Sequence, residues 1–201
     1  GCRFDFRRGN WKSLGHARDL VISFPQMETS DPYRDIARFF PAFDRLVHIF
    51  LPRMRSDLFA FLRHNRLVTV LDLGCGAGGL SRELADRGFS PVCVDVSPAM
   101  LARAEERSRR PPPFAVVRSD GGTIPLAPGM DASVMRFVLH EMSPEVRLKV
   151  LGELLRVVRP GGYLLFIDFI LPADACRYPG WRERLGGSLV RVIESQMKRV
   201  H

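Results

Sequence analysis

Apolar positions recur along this chain in two rhythms. Five short apolar runs read as strands: Leu67 to Leu73, Pro91 to Val96, Phe114 to Val117, Asp131 to Leu139 and Tyr163 to Ile170. They are too short for helices, rich in branched side chains and bounded by turn residues, the pattern of strands buried on both faces. Between them, apolar residues return at three- and four-residue steps. Leu80, Leu84 and Ala85 predict a helix that stops at Gly88, since glycine takes the left-handed backbone that closes a helix. Met100, Leu101 and Ala104 predict a second, capped by Ser97, begun by Pro98 and stopped by Pro111-Pro112-Pro113. Val146, Val150, Leu151, Leu154 and Val158 predict the core face of a third, opened by Ser143-Pro144-Glu145 and closed by Arg159-Pro160-Gly161-Gly162. Strands alternating with helices in this way predict an α/β fold with a doubly wound, mostly parallel sheet.

The flanks read differently. Ile36, Phe39, Phe40, Phe43, Leu46, Val47, Phe50 and Leu51 keep helical spacing, broken at Pro41 and Pro52, and Met54, Leu58, Phe61 and Leu62 follow as a further helix. Residues 27–66 are therefore expected to form a helical lid, with residues 67–201 as the core. Residues 1–26 hold Arg3, Arg7, Arg8, Lys12 and Arg18 with no sustained period, and Leu20-Val21-Ile22 is too short for a signal-peptide core. Met27 reads as the native start and residues 1–26 as a non-native or disordered extension. Beyond Leu171, Trp181–Leu185 and Leu189–Met197 read as helical. The core is thus expected to be truncated after its fifth strand, with an apolar edge exposed.

The 201 residues suit one domain, and no apolar run approaches the ~20 residues of a membrane span. Cys2, Cys75, Cys93 and Cys176 show neither metal-like nor redox spacing, as expected of a reduced cytoplasmic protein. The net charge of +8 comes almost wholly from dispersed arginines. That dispersal reads as a solvated surface and argues against a nucleic-acid footprint.

Candidate chemistry gathers where strands end. Gly74, Gly76 and Gly78 follow the first strand at alternate positions, with Asp72 before them. Such glycines let a ligand lie against the main chain, at the strand ends where open α/β sheets bind ligands. Gly74-x-Gly76-x-x-Gly79 also fits a dinucleotide fingerprint, but the chain shows no Tyr-x-x-x-Lys or second domain of a dehydrogenase. Asp95 ends the second strand at about the spacing of an acid that reaches ribose hydroxyls. Asp120-Gly121 follows the third and reads either as an adenine contact or as a turn. His140, in Leu139-His140-Glu141-Met142, is the candidate base, with Asp168 and Glu141 behind it; a packing role for His140 is the competing reading.

Together the strings VLDLGCGAG, VDVSPAMLARA, LHEM and RVVRPGGYLLFIDF resemble the class I S-adenosylmethionine (SAM) methyltransferases, in particular the ubiquinone/menaquinone-biosynthesis type, over roughly residues 33 to 195. The resemblance implies a Rossmann-like fold and methyl transfer from SAM to a small-molecule acceptor. It implies that Gly74, Cys75, Gly76 and Gly78 bound the methionine part of SAM, with Asp72 holding the loop or contacting the amino group. Asp95 would bind the ribose, Val96 and Met100 would pack on the adenine, and Asp120 and Gly121 would meet its edge. Arg136 departs from the small residue that relatives often carry; it is a candidate partner for the SAM carboxylate, and pointing away from the site is the competing reading. Phe43-Asp44 departs too, lacking the tyrosine of the family lid. The chain shows neither an Asn/Asp-Pro-Pro-aromatic string after strand four nor a Pro-Cys nucleophile, which favours a small-molecule acceptor over a nucleic-acid base. An inactive or regulatory SAM-binding module, and an RNA methyltransferase, are the alternatives.

Overall fold

The computed structural model describes residues 4–5, 10–11, 31, 33–35, 37–39, 52–169 and 190–192. In chain order they form β1 (Phe4–Asp5), β2 (Asn10–Trp11), α1 (Pro52–His64), β3 (Thr69–Leu73), α2 (Gly79–Asp86), β4 (Ser90–Asp95), α3 (Pro98–Ser108), β5 (Ala115–Arg118), β6 (Met130–Arg136), α4 (Pro144–Val157), β7 (Val158–Phe169) and β8 (Val190–Val192). Among the described residues, β1 and β2 pair only with each other. The remaining strands make one sheet in the order β5-β4-β3-β6-β7-β8, parallel from β5 to β7. The chain starts at the centre with β3, runs outward to β5, and crosses back to lay β6 on the other side of β3. That reversal opens a crevice at the carboxyl ends of the strands.

Alternation along each strand divides the core between the two faces. Leu71, Leu73, Val92, Val94 and Val117 pack with Val150, Leu154 and Val157 of α4. Val70, Val134 and Ile167 face the other way, against Leu58, Phe59 and Leu62 of α1 and Leu80 and Leu84 of α2. Cys93 and Val116 meet Leu101 and Ala104 of α3. The predicted caps are present: Ser97 Oγ accepts from Met100 N, and Ser143 Oγ accepts from Val146 N, each with proline at the first helical position. Arg82 closes α3, donating to the carbonyls of Arg107, Arg110 and Pro112.

Several elements differ from the reading of the sequence. β6 stops at Arg136 because Phe137 takes φ 59° and turns the chain into a 3-10 turn, Leu139–Glu141. Arg159–Gly162 continues β7 instead of forming a loop. Gly162 allows this: a Cβ there would lie 2.6 Å from the Asp131 carbonyl oxygen, so the strands pass close where their register shifts. Val146 is 41% exposed and not in the core, because it sits in the first turn of α4 at the rim of the crevice. The helix expected from Leu189 is a strand over Val190–Val192, paired antiparallel with Ile167–Phe169. Two β-branched residues there answer the open hydrogen-bonding edge of β7, so the sheet has six strands where five were expected, and this part of the edge is paired. A turn at residues 33–35 and a short 3-10 turn at Ala37–Phe39 stand where a helix was expected. Phe40, Phe43, Leu46, Val47, Phe50, Leu51 and Trp181–Leu185 lie outside the described residues, as does most of 1–26.

Candidate functional site

The crevice is a cavity of 520 Å³ lined by Gly74, Cys75 and Gly76 after β3, Asp95, Val96 and Met100 after β4, and Ser119 and Asp120 after β5. Arg136, Phe137, Val138, His140, Glu141 and Met142 after β6 supply the facing wall, with Val146 of α4, and Tyr33 reaches in from the N-terminal segment.

The glycine turn is bound tightly to its neighbours. Gly74 and Gly76 take φ of 72° and 53°, a region costly to residues with a Cβ. Gly74 N and Cys75 N donate to the Val94 carbonyl at 2.8 and 3.1 Å, and Gly76 N donates to Asp95 Oδ2 at 2.8 Å. A Cβ on Gly74 would lie 2.3 Å from Val138 Cγ2, so the two walls of the cavity touch here. Burial pushes the Asp95 carboxyl above its ordinary range, against the pull of backbone N–H groups from Ser97, Gly76 and Val96. Burial likewise keeps Cys75 a neutral thiol, its titration raised well above normal.

Three expected cofactor residues do not line the cavity. Asp72 is buried and accepts from Ser81 Oγ at 2.6 Å, tying β3 to the start of α2. Gly78 lets α2 approach α3: a Cβ would lie 3.0 Å from Ala104 Cβ. Gly121 packs beneath the cavity wall, where a Cβ would lie 3.2 Å from Val150 Cγ2. Asp120 does line the cavity, and it also makes the expected turn, accepting from Gly122 N at 2.8 Å.

On the opposite wall the candidate base has a partner. His140 Nδ1 lies 2.6 Å from Asp168 Oδ1, and His140 N donates to Asp168 Oδ2 at 3.1 Å. Asp168 is 4% exposed and comes from β7. Nδ1 is thus held by a carboxylate, and Nε2 lies 3.9 Å from Glu141 Oε1.

Asp31 and Tyr33 have no counterpart in the sequence-based site. Asp31 Oδ2 accepts from Ser97 Oγ at 2.9 Å and Ala99 N at 3.0 Å, binding residues 31–33 to the start of α3. Burial alone would raise its carboxyl, but these hydrogen bonds and one from Tyr33 N hold it below the usual range. The Tyr33 hydroxyl donates to the Glu141 carboxylate, and burial with that partner raises the phenol's titration. Asp31 and Tyr33 thus connect the start of α3 to the turn that carries His140.

Among the described residues, no cluster of three or more His, Cys, Asp or Glu is placed to hold a metal, and no helix is long and apolar enough to cross a membrane.

Comparison with known proteins adds to this geometry. The profile of a methyltransferase domain matches residues 70–162. A demethylmenaquinone methyltransferase of Beutenbergia cavernae is 43% identical over 104 residues, which cover 51% of this chain and 41% of that protein. A malonyl-[acyl-carrier protein] O-methyltransferase of Enterobacter lignolyticus is 36% identical over 129 residues, 64% of this chain and 49% of the relative. The chain therefore spans less than half the length of these two proteins. The solved structure of the PH0226 protein from Pyrococcus horikoshii shares the fold, with a TM-score of 0.57 at 24% identity, covering 71% of this chain and 65% of that one.

Proposed function

We propose that this protein is a class I SAM-dependent methyltransferase that methylates a small-molecule acceptor held beside SAM in the cavity above β3–β6, a reading supported by the methyltransferase-domain match over residues 70–162. The observation that carries the reading is the shared cavity: the glycine turn and Asp95 form one wall, and the His140–Asp168 pair faces it from the other. When bound, SAM supplies a methyl group already activated by its sulfonium.

The residues present fit that ligand. The turn at Gly74 and Gly76 leaves main chain bare toward the cavity. Asp95 lines the cavity with a carboxylate, the acceptor chemistry that ribose hydroxyls need. Val96 and Met100 offer apolar contact to the adenine, and Asp120 an acceptor for its amino group. Arg136 stands at the end of β6 for the SAM carboxylate. Asp72, away from the cavity, holds the loop through Ser81.

Methyl transfer needs alignment and exclusion of water more than it needs acid–base help. Asp31 and Tyr33 serve as a strap over the cavity, with Tyr33 taking the place of the missing lid tyrosine. Asp168 fixes the His140 ring so that Nε2 takes the proton from the acceptor's nucleophilic atom as that atom is methylated. The buried free thiols Cys75 and Cys93 suit the reducing interior of a cell.

The test is a calorimetric titration with SAM, followed by turnover with a panel of phenolic, carboxylic and amine acceptors read by mass spectrometry. Saturable SAM binding and one methylated class of small molecule are expected. SAM binding without turnover on any acceptor would favour an inactive binding module, and methylation of RNA alone would overturn the small-molecule assignment.

A further inference from the structure

The loop that follows β5 carries Ser119 and Asp120 into the cavity and then runs to β6 at Met130. Its tip at Ile124–Leu126 is gripped by two side chains of α4. Glu153 Oε2 accepts from Ile124 N at 2.7 Å. Arg156 Nη2 donates to the Ile124 carbonyl at 2.6 Å, and Nη1 donates to the Leu126 carbonyl at 2.9 Å. The same guanidinium meets both Glu153 carboxylate oxygens, at 2.9 and 2.7 Å. A planar fork is what lets one side chain hold two carbonyls and a carboxylate together. Arg156 holds the Glu153 carboxyl far below its ordinary range, at about 2, so the pair stays charged at neutral pH.

One turn earlier on α4, Val150 supports the same loop from beneath Gly121. Positions 150, 153 and 156 follow one another at three-residue steps, which places them along neighbouring rows of one helix surface. Val150 is fully buried, while Ile124 sits in the same core as Leu154 and Val157. The loop is therefore braced by α4 beneath Gly121 and again at Ile124–Leu126, just after Asp120, although neither Glu153 nor Arg156 lines the cavity.

We propose that Glu153 and Arg156 are positioning residues for the adenine end of the donor site: they fix the height of the loop after β5 so that Asp120 meets the ligand. This rests on the reading of the cavity as a SAM site and of Asp120 as its adenine contact. Without the clamp, the backbone groups of Ile124 and Leu126 lose their side-chain partners, and the loop is left anchored by the buried Ile124 side chain and, ahead of Asp120, by Ser119 N donating to the Asp95 carbonyl at 2.9 Å.

The experiment is a double-mutant cycle on SAM affinity with the whole chain, using Asp120→Ala, Arg156→Gln and the pair, with Arg156→Lys and Glu153→Gln as companions. Arg156→Gln is expected to raise the Kd for SAM about tenfold, the equivalent of one well-placed hydrogen bond lost, but to add little in the Asp120→Ala background. Arg156→Lys should not rescue, because an ammonium lacks the fork. The wild type should lose affinity for an analogue without the adenine amino group, and Arg156→Gln should lose far less. A merely structural role would lower thermal stability and multiply the Kd by the same factor in both backgrounds, which would overturn the inference. An unchanged Kd in folded Arg156→Gln would do so too; if that variant does not fold, Glu153→Gln carries the same cycle. Should Asp120→Ala leave SAM binding intact while SAM still binds, the adenine contact is wrong and the inference falls with it. Absence of SAM binding in the wild type would instead refute the functional reading.

Discussion

Gly74→Ala tests the point where the two walls of the cavity meet. The added Cβ would stand 2.3 Å from Val138 Cγ2 and 2.9 Å from Cγ1, well inside contact distance. The backbone at φ 72° adds a cost of its own: about 1–2 kcal/mol for a residue with a Cβ in the left-handed region. Forcing a methyl group into a packed site costs about 1–3 kcal/mol more. The sum, about 2–5 kcal/mol, is a large part of the ~5–15 kcal/mol that holds a domain folded. Val138→Ala removes both clashing methyls and leaves only its Cβ, at 3.2 Å. Gly74→Ala with Val138→Ala should therefore keep the backbone strain and shed the overpacking. Urea midpoints of both single variants and the double should show a favourable coupling of about 1–3 kcal/mol. SAM affinity should fall in Gly74→Ala, since the displaced Val138 stands in the wall next to Phe137, and should partly return in the double variant. Strictly additive stabilities, or a Gly74→Ala midpoint within experimental error of wild type, would refute the account.

Asp95→Ala should weaken SAM binding by about 1.5–3 kcal/mol in a folded protein, as a charged acceptor for the ribose is lost; calorimetry showing an unchanged Kd sinks that assignment. Asp168→Asn should leave the SAM Kd alone but lower turnover by about 10²-fold or more, because an amide no longer selects the His140 tautomer that carries its proton on Nδ1; equal kcat in both proteins would assign His140 to packing. Glu153 titrates at about 2 when folded, below its unfolded value. Its contribution to stability is therefore complete above about pH 4.5 and is lost as pH falls through about 2. Unfolding curves for wild type and Glu153→Gln should differ at neutral pH and converge toward pH 2, and a gap that persists there would contradict the pairing.

Much of this architecture was legible because it rests on local rules. The branched residues of β3 and β4 announce buried strands, and Ser97 and Ser143 announce helix starts. Asp95 stands out as an acid closing an apolar strand. What was not legible depends on contacts between distant segments. Asp31 meets Ser97 across 66 positions and Tyr33 meets Glu141 across 108, and no periodicity encodes either. The apolar period placed Val146 on the right helix face, but it cannot know that the core is hollowed into a cavity at that turn. Gly78 and Gly121 were read as leaving room for a ligand, and both take positive φ, at 74° and 79°. Their work, though, is to admit Ala104 and Val150, and that follows only from packing. β8 is too short to show a period, and its pairing is dictated by the edge it covers.

The pairing of β3 with β6 also acts as a ruler. Val70 stands opposite Ala132, and Leu73 opposite Met135, with no shift between them. That alignment sets Val138 over Gly74 and brings His140 level with the glycine turn. Each residue along a strand advances about 3.3 Å and reverses the side it faces. A slip by one position would carry the His140 wall past the Asp95 wall by more than a bond length and a half, and would send Val134 and Met135 to the wrong layers. The half of the molecule from β3 to β5 could then be perfectly formed and still hold no site. Competence to bind is thus acquired at one event in folding, the docking of β6 in its correct frame. Any ligand that bridges the walls will stabilise that frame alone, shifting the population away from misregistered chains in proportion to its concentration over its Kd.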